Sequence, residues 1–105
     1  DITSGIDMTI GPGTLPIMGY GLIATAGVVD SHVHLLTPNL VPVALSAGVT
    51  TLITAGFEEP PMAMGITMRA FEGLPVNLGL QASSRTDAPG AVERLIEAGS
   101  VGLKI

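Results

Sequence analysis

Hydrophobic and polar positions follow two different rhythms along the chain, and the change falls near Gly27. Beyond this point, short β-branched apolar runs predict four strands, which cover 28–36, 49–55, 75–81 and 100–105. Apolar residues at helical spacing predict three helices between them, which cover 38–47, 62–72 and 88–98. Strands that alternate with helices form a parallel sheet with right-handed crossovers. The pattern therefore predicts an α/β fold, either half of a (β/α)8 barrel or a doubly wound open sheet.

The ends of the predicted helices carry residues typical of helix boundaries. Asn39 is placed to cap the first helix, and Gly48 and Gly99 are placed to stop the first and the third. Val92, Leu95 and Ile96 predict the apolar face of the third helix. No glycine-rich phosphate loop follows the first predicted strand, which disfavours a nucleotide-binding sheet.

The first 26 residues are rich in glycine and in short apolar–polar alternations. The alternation at 6–10 predicts one strand, and 15–24 predicts one or two more, interrupted by Pro16 and two glycines. We therefore expect two regions: a β-rich piece at 1–26, and the strand–helix repeats at 27–105.

Composition restricts the classes of function. Only 12% of the residues are charged, against about a quarter in ordinary domains, which suggests strands buried on both faces. The net charge of −5 excludes a basic nucleic-acid surface, and no apolar run approaches the roughly 20 residues of a membrane helix. The chain has no cysteine, so it has neither disulfides nor thiolate ligands. Because it starts at Asp1 and ends within a predicted strand, we expect it to be an internal segment of a longer protein.

The only two histidines, His32 and His34, lie two residues apart in the first predicted strand. Side chains at this spacing point to the same face of a strand, so the two imidazoles form half of a site for a borderline metal ion. Asp30 lies on the same face, one step earlier. Its carboxylate is a candidate to orient a ligand imidazole from behind, or equally a polar group anchored by backbone amides.

The only lysine, Lys104, lies near the end of the fourth predicted strand. In a (β/α)8 barrel this position and the histidine pair face the same rim, where such enzymes carry their active sites. An ammonium there would repel metal ions, whereas a neutral amine can take up carbon dioxide and become a carbamate with two oxygens. The alternative is a lysine that extends to solvent beyond the strand end.

Several stretches resemble a known family. Gly27–His34, GVVDSHVH, resembles the signature of the amidohydrolase superfamily. Further stretches resemble the urease alpha subunit, the large catalytic subunit: DITSGIDMTIGPGT at 1–14, GLIATAGVVDSHVH at 21–34, SAGVTT at 46–51, LPVNLG at 74–79 and AGSVGLKI at 98–105. The resemblance implies the first half of a (β/α)8 amidohydrolase barrel, preceded by part of a small β-sandwich domain.

The resemblance also implies a chemistry. His32 and His34 are expected to bind one ion of a two-nickel centre, and Lys104, as a carbamate, to bridge both ions. A hydroxide activated by the two metals attacks urea, which yields ammonia and carbamate. The general acid and the remaining ligands follow Ile105 in the family, so no catalytic residue is expected within this chain.

The resemblance further implies beta and gamma subunits, nickel-delivery accessory proteins, a homo-oligomeric complex and a cytoplasmic location. Residues 56–64 depart from the family pattern, which puts urea in question before the metal site. Two alternatives stay open. One is a zinc-dependent cyclic amidase of the dihydroorotase or hydantoinase kind, and the other is a non-catalytic urease-like paralogue.

Overall fold

The computed structural model describes residues 4–5, 10–34, 37–56, 61–85 and 88–105. Within these ranges the chain forms five strands and three helices, in the order β1 (Val28–Val33), α1 (Leu40–Ser46), β2 (Val49–Thr54), α2 (Pro61–Ala70), β3 (Asn77–Gly79), β4 (Gln81–Ser83), α3 (Ala91–Glu97) and β5 (Gly102–Lys104). The predicted alternation of strands and helices is confirmed. The strand predicted at 75–81 differs from the observed structure: it begins later, at Asn77, and is divided into β3 and β4.

The strand pairs of the described residues are all parallel, as an α/β fold requires. β2 lies between β1 and β3, and β4 pairs with β5, with Ser83 opposite Lys104. Only Leu80 separates β3 from β4, so the segment Asn77–Ser83 pairs first with β2 and then with β5. The strands therefore keep their chain order, from β1 to β5, across a three-stranded sheet (β1–β3) and a two-stranded sheet (β4 and β5) that this segment joins.

Two hydroxyl groups hold the point where this shared segment changes partners. Thr54, at the end of β2, accepts a hydrogen bond from the backbone N–H of Gln81 at 2.7 Å. Ser100, just before β5, accepts one from the backbone N–H of Ala82 at 2.9 Å. Side chains thus replace backbone pairing where the ladder is interrupted, which keeps β2 and β5 on either side of one continuous segment.

Two apolar clusters join the helices to the sheet. The first consists of Val33, Val41, Ala44, Leu52 and Phe71. The second consists of Met64, Leu80, Ala82 and Leu95. Leu52, Met64 and Leu80 are almost completely buried. Each cluster includes residues of both strands and helices, so packing against the helices holds the strands in place.

The strands predicted within 15–24 are wrong, because residues 10–27 form no strand. All residues of this segment are exposed; Ile17 and Ile23 keep 91% and 90% of their surface accessible. A strand needs a neighbour to pair its backbone groups, and no described strand lies beside this segment. The strand predicted at 6–10 lies mostly outside the described residues. The division at residue 26 stays a prediction.

Two glycines end helices as predicted, whereas one predicted cap and one predicted buried residue differ from the structure. Gly48 and Gly99 follow α1 and α3 with φ of +79° and +106°, the left-handed conformation that ends a helix. Asn39 is at the N-cap position of α1 but makes no side-chain cap hydrogen bond. Ile96 is 52% exposed, because α3 buries Leu95 and turns Ile96 outward. No helix in the described ranges is long and apolar enough to cross a membrane.

Candidate metal centre

The two histidines and the lysine lie at the carboxyl ends of their strands. His32 is the next-to-last residue of β1, and His34 directly follows that strand. Lys104 is the last residue of β5. Because the strands are parallel, their carboxyl ends share one edge of the sheet, where α/β proteins bind ligands. The structure thus brings together the three residues that the sequence singled out.

The imidazole rings of His32 and His34 face each other. Their Nε2 atoms are 2.9 Å apart, the ring centroids are 4.8 Å apart, and the ring planes are inclined by 68°. Both side chains are exposed. A metal ion in solution can therefore reach the two nitrogens without any rearrangement of the sheet.

Lys104 reaches the histidine pair from β5, the strand farthest from β1 in the strand order. Its Nζ lies 3.2 Å from Nδ1 of His32. In a flat sheet β1 and β5 would be about 14 Å apart, three strand spacings of about 4.8 Å, and their side chains would stand perpendicular to it. The contact between Lys104 and His32 therefore requires a curled sheet.

Asp30 contacts the backbone rather than an imidazole ring. Its Oδ1 accepts a hydrogen bond from the backbone N–H of His32 at 3.1 Å. This bond spans two residues within β1, where the register against β2 shifts between Asp30 and Val33. The carboxylate thus holds the backbone from which His32 projects.

The directions of the hydrogen bonds depend on the chemical form of Lys104. An ammonium only donates, so with Lys104 charged the Nδ1 of His32 accepts and its Nε2–H donates to Nε2 of His34. A metal ion on both Nε2 atoms needs the His32 proton on Nδ1 instead. This proton then points at Lys104, which must accept it as a neutral amine or as a carbamate.

The donor set fits one divalent metal ion. Two nitrogens that each lie about 2.0–2.1 Å from the same ion are about 3 Å apart, and the observed separation is 2.9 Å. Imidazole ligands suit zinc, nickel, iron and copper. Among the described residues, no group of three or more histidine, aspartate or glutamate side chains is placed to hold a metal. The histidine pair therefore needs additional ligands.

Gly56 is a residue of this site that sequence reasoning missed. It follows β2, and a Cβ built there would lie 3.2 Å from Cβ and 3.3 Å from Cγ of Lys104. The only signal in the sequence is a glycine directly after an apolar run, which is common at strand ends. Of the departing stretch 56–64, residues 57–60 lie outside the described residues, so its effect on substrate choice stays a prediction.

Comparison with known proteins gives full-length matches to this chain. It is 42% identical over 113 aligned positions to a protein of Streptomyces avermitilis named urease subunit alpha 1. It is 41% identical over 114 positions to a protein of Streptomyces coelicolor named urease subunit alpha 2. Each alignment covers 100% of this chain and 20% of the relative, so the chain spans about a fifth of their length. No family model and no solved structure matches.

Proposed function

We propose, on the premise that this chain is homologous over its whole length to part of the urease alpha subunits, that it supplies three ligands of a urease-type metal centre. These ligands are His32, His34 and Lys104. The observation that carries the proposal is their convergence: Nε2 of His34 lies 2.9 Å from His32, and Nζ of Lys104 lies 3.2 Å from the same ring.

The proposed activity is hydrolysis of a linear amide C–N bond, with urea as the substrate and ammonia and carbamate as the products. Two nickel ions are the proposed cofactor. When bound, they supply Lewis acidity, which polarises the substrate carbonyl and lowers the pKa of water. His32 and His34 hold one ion through their Nε2 atoms, and the exposure of both rings leaves the edge open to a small substrate.

Lys104 is proposed to act as a carbamate. Its neutral amine nitrogen attacks the carbon of carbon dioxide, a C–N bond forms, and the proton lost from nitrogen goes to solvent. The product is an anion with two oxygens, which can bridge two cations where an ammonium would repel them.

The rest of the enzyme is proposed to lie outside these 105 residues, because the relatives are about five times longer. We propose that the sheet described above is the first half of a (β/α)8 barrel, that residues 1–26 belong to a small β-sandwich domain, and that the general acid and remaining ligands lie elsewhere in the natural polypeptide. Beta and gamma subunits, a homo-oligomeric complex, nickel-delivery proteins and a cytoplasmic location are part of the same proposal.

The test is the metal content of the natural full-length polypeptide. We expect about two nickel ions per chain, and a fall to about one in the variants His32→Ala and His34→Ala, because the two rings hold one of the two ions and neither ring alone holds it in a site this exposed. A carbamate carbon signal in carbon-13 spectra under labelled carbon dioxide is expected in the parent and absent in Lys104→Met. Release of ammonia from urea measures the activity.

The matched control is Ser46→Ala, at the last residue of α1, which removes a hydroxyl that donates to the Val43 C=O and should keep the parent metal content. Two zinc ions, with hydrolysis of a cyclic amide instead of urea, would identify a cyclic amidase. A metal content near zero in a protein isolated with its accessory proteins would exclude both enzymes and leave the non-catalytic paralogue.

A further inference from the structure

We infer that Gly56 is a positioning residue for Lys104: the space left by its missing side chain is the space through which the lysine stem passes to reach His32. A Cβ at residue 56 would lie 3.2 Å from Cβ and 3.3 Å from Cγ of Lys104. Both distances are tighter than ordinary van der Waals contact between carbon atoms, which is about 3.5–4.0 Å.

The lysine stem has little freedom to yield to such a side chain. The backbone of β5 fixes the position of the Lys104 Cβ, because Lys104 is paired with Ser83 of β4. The Ser84 N–H donates to the Lys104 C=O at 3.0 Å, which holds the end of the strand as well. Two responses remain: a backbone shift of a few tenths of an ångström, which relieves the contact at Cβ, and rotation about Cα–Cβ, which moves Cγ while β5 stays paired.

Rotation about the Cα–Cβ bond of Lys104 moves the amine nitrogen Nζ farther than it moves Cγ. Nζ lies three bonds beyond Cγ, and staggered rotamers differ by about 120°. A change of rotamer therefore moves Nζ by several ångströms, whereas the contact with Nδ1 of His32 is 3.2 Å long. A methyl group at residue 56 is thus expected to break that contact while the strands remain paired.

The backbone at Gly56 favours glycine for a second reason. Its φ is +139°, a conformation that residues with a side chain rarely adopt. Gly73 provides a control for alanine at a positive φ without a steric contact, because its φ is +78° and a Cβ built there meets nothing within 4 Å. The substitutions Gly56→Ala and Gly73→Ala both strain the backbone, but only the first meets Lys104.

The experiment compares the ring nitrogens of His32 in metal-free full-length protein by nitrogen-15 spectroscopy at one fixed pH. In the parent, Nδ1 of His32 is expected at the position of a hydrogen-bonded nitrogen. In Gly56→Ala the signal should move to its position in Lys104→Met, which has no amine. In Gly73→Ala it should stay at the parent position, and adding Gly56→Ala to Lys104→Met should cause no further shift. A Gly56→Ala signal at the parent position overturns the inference.

If Gly56→Ala does not fold, the double variant Gly56→Ala/Lys104→Gly decides the question, because Lys104→Gly removes both atoms that a Cβ would meet. Recovery of the fold supports the steric role, and continued unfolding overturns it, since backbone strain alone would then explain the failure. The readout uses neither nickel nor urea. The inference can therefore fail while the proposed function stands, and it can hold if the proposed function fails.

Discussion

His32 is the central residue of the candidate centre, because its ring contacts both of the other proposed ligands. Nε2 faces His34 and Nδ1 faces Lys104. Which of these two nitrogens carries the ring hydrogen therefore depends on the chemical form of both neighbours. Spacing in the sequence was sufficient to pair the two histidines. It left Lys104 with two interpretations, and the 3.2 Å contact places its amine beside the imidazole rather than away from it.

A substitution at Asp30 can distinguish a carboxylate that holds the His32 backbone from one that orients an imidazole ring. Asn at this position keeps an oxygen that accepts the His32 N–H, so Asp30→Asn should change metal affinity by less than about twofold. Loss of a partner that orients a ligand imidazole typically costs 10–100-fold in affinity. Equilibrium dialysis of the full-length protein against the metal measures this, and a tenfold loss in Asp30→Asn would contradict the backbone role.

The segment Asn77–Ser83 connects the two halves of the sheet, and its change of partner depends on hydroxyl groups. Thr54 is buried, with 3% of its surface exposed, and its hydroxyl accepts the Gln81 N–H. The sequence predicted one strand across this region, and no apolar pattern marks a change of partner within it. The break at Leu80 depends on hydrogen bonds to β2 and to Ser100, which are far apart in sequence.

Replacing Thr54 by valine should be clearly destabilising. Thr54→Val keeps the shape but leaves the part-buried N–H of Gln81 without its acceptor, which costs about 1 kcal/mol of unfolding free energy or more. The control Thr51→Val removes an exposed bond from Asn77 and should cost less than about 0.5 kcal/mol. Denaturant unfolding of the full-length protein measures both, and equal losses would show that the Thr54 hydroxyl does not hold the junction.

At the scale of the whole molecule, the chain exposes more apolar surface than a compact domain does. Its radius of gyration is 18.4 Å, against about 13 Å for a compact domain of this length. The exposed segment 10–27 contributes large apolar side chains, and Val28 and Val29 of β1 are 51% and 56% exposed. β1 and β5 each lack a second described neighbour, so the sheet has two open edges.

The 105-residue chain by itself should not behave as a stable monomer. Open parallel edges and exposed apolar side chains favour self-association over a cooperative native state. We expect binding of a hydrophobic dye, association at micromolar concentration and no single sharp thermal transition. A full-length urease alpha subunit, measured alongside, should show a sharp transition. Cooperative unfolding of the short chain as a monomer in sedimentation and calorimetry would contradict this expectation.

Sequence reasoning recovered the local features of the fold and failed where the chain lacks a partner. The helices from residue 27 onward follow a periodicity of 3.6 residues and the strands follow β-branched apolar runs, and both signals depend only on nearby side chains. The strands predicted within 15–24 failed because pairing is not a local property. The prediction that Ile96 is buried fails for a similar reason. The spacing of apolar residues on a helix does not show how much of the helix surface packs against the rest of the protein.

The sequence by itself determined the α/β pattern, the histidine pair and the homology to urease alpha subunits, because each is written in the order of neighbouring residues. Only the tertiary structure decided that Lys104 meets His32, a residue 72 positions earlier, and that Gly56 leaves room for it. Both depend on the curl of the sheet. That curl follows from the packing and hydrogen bonding of distant segments, which no short stretch of sequence specifies.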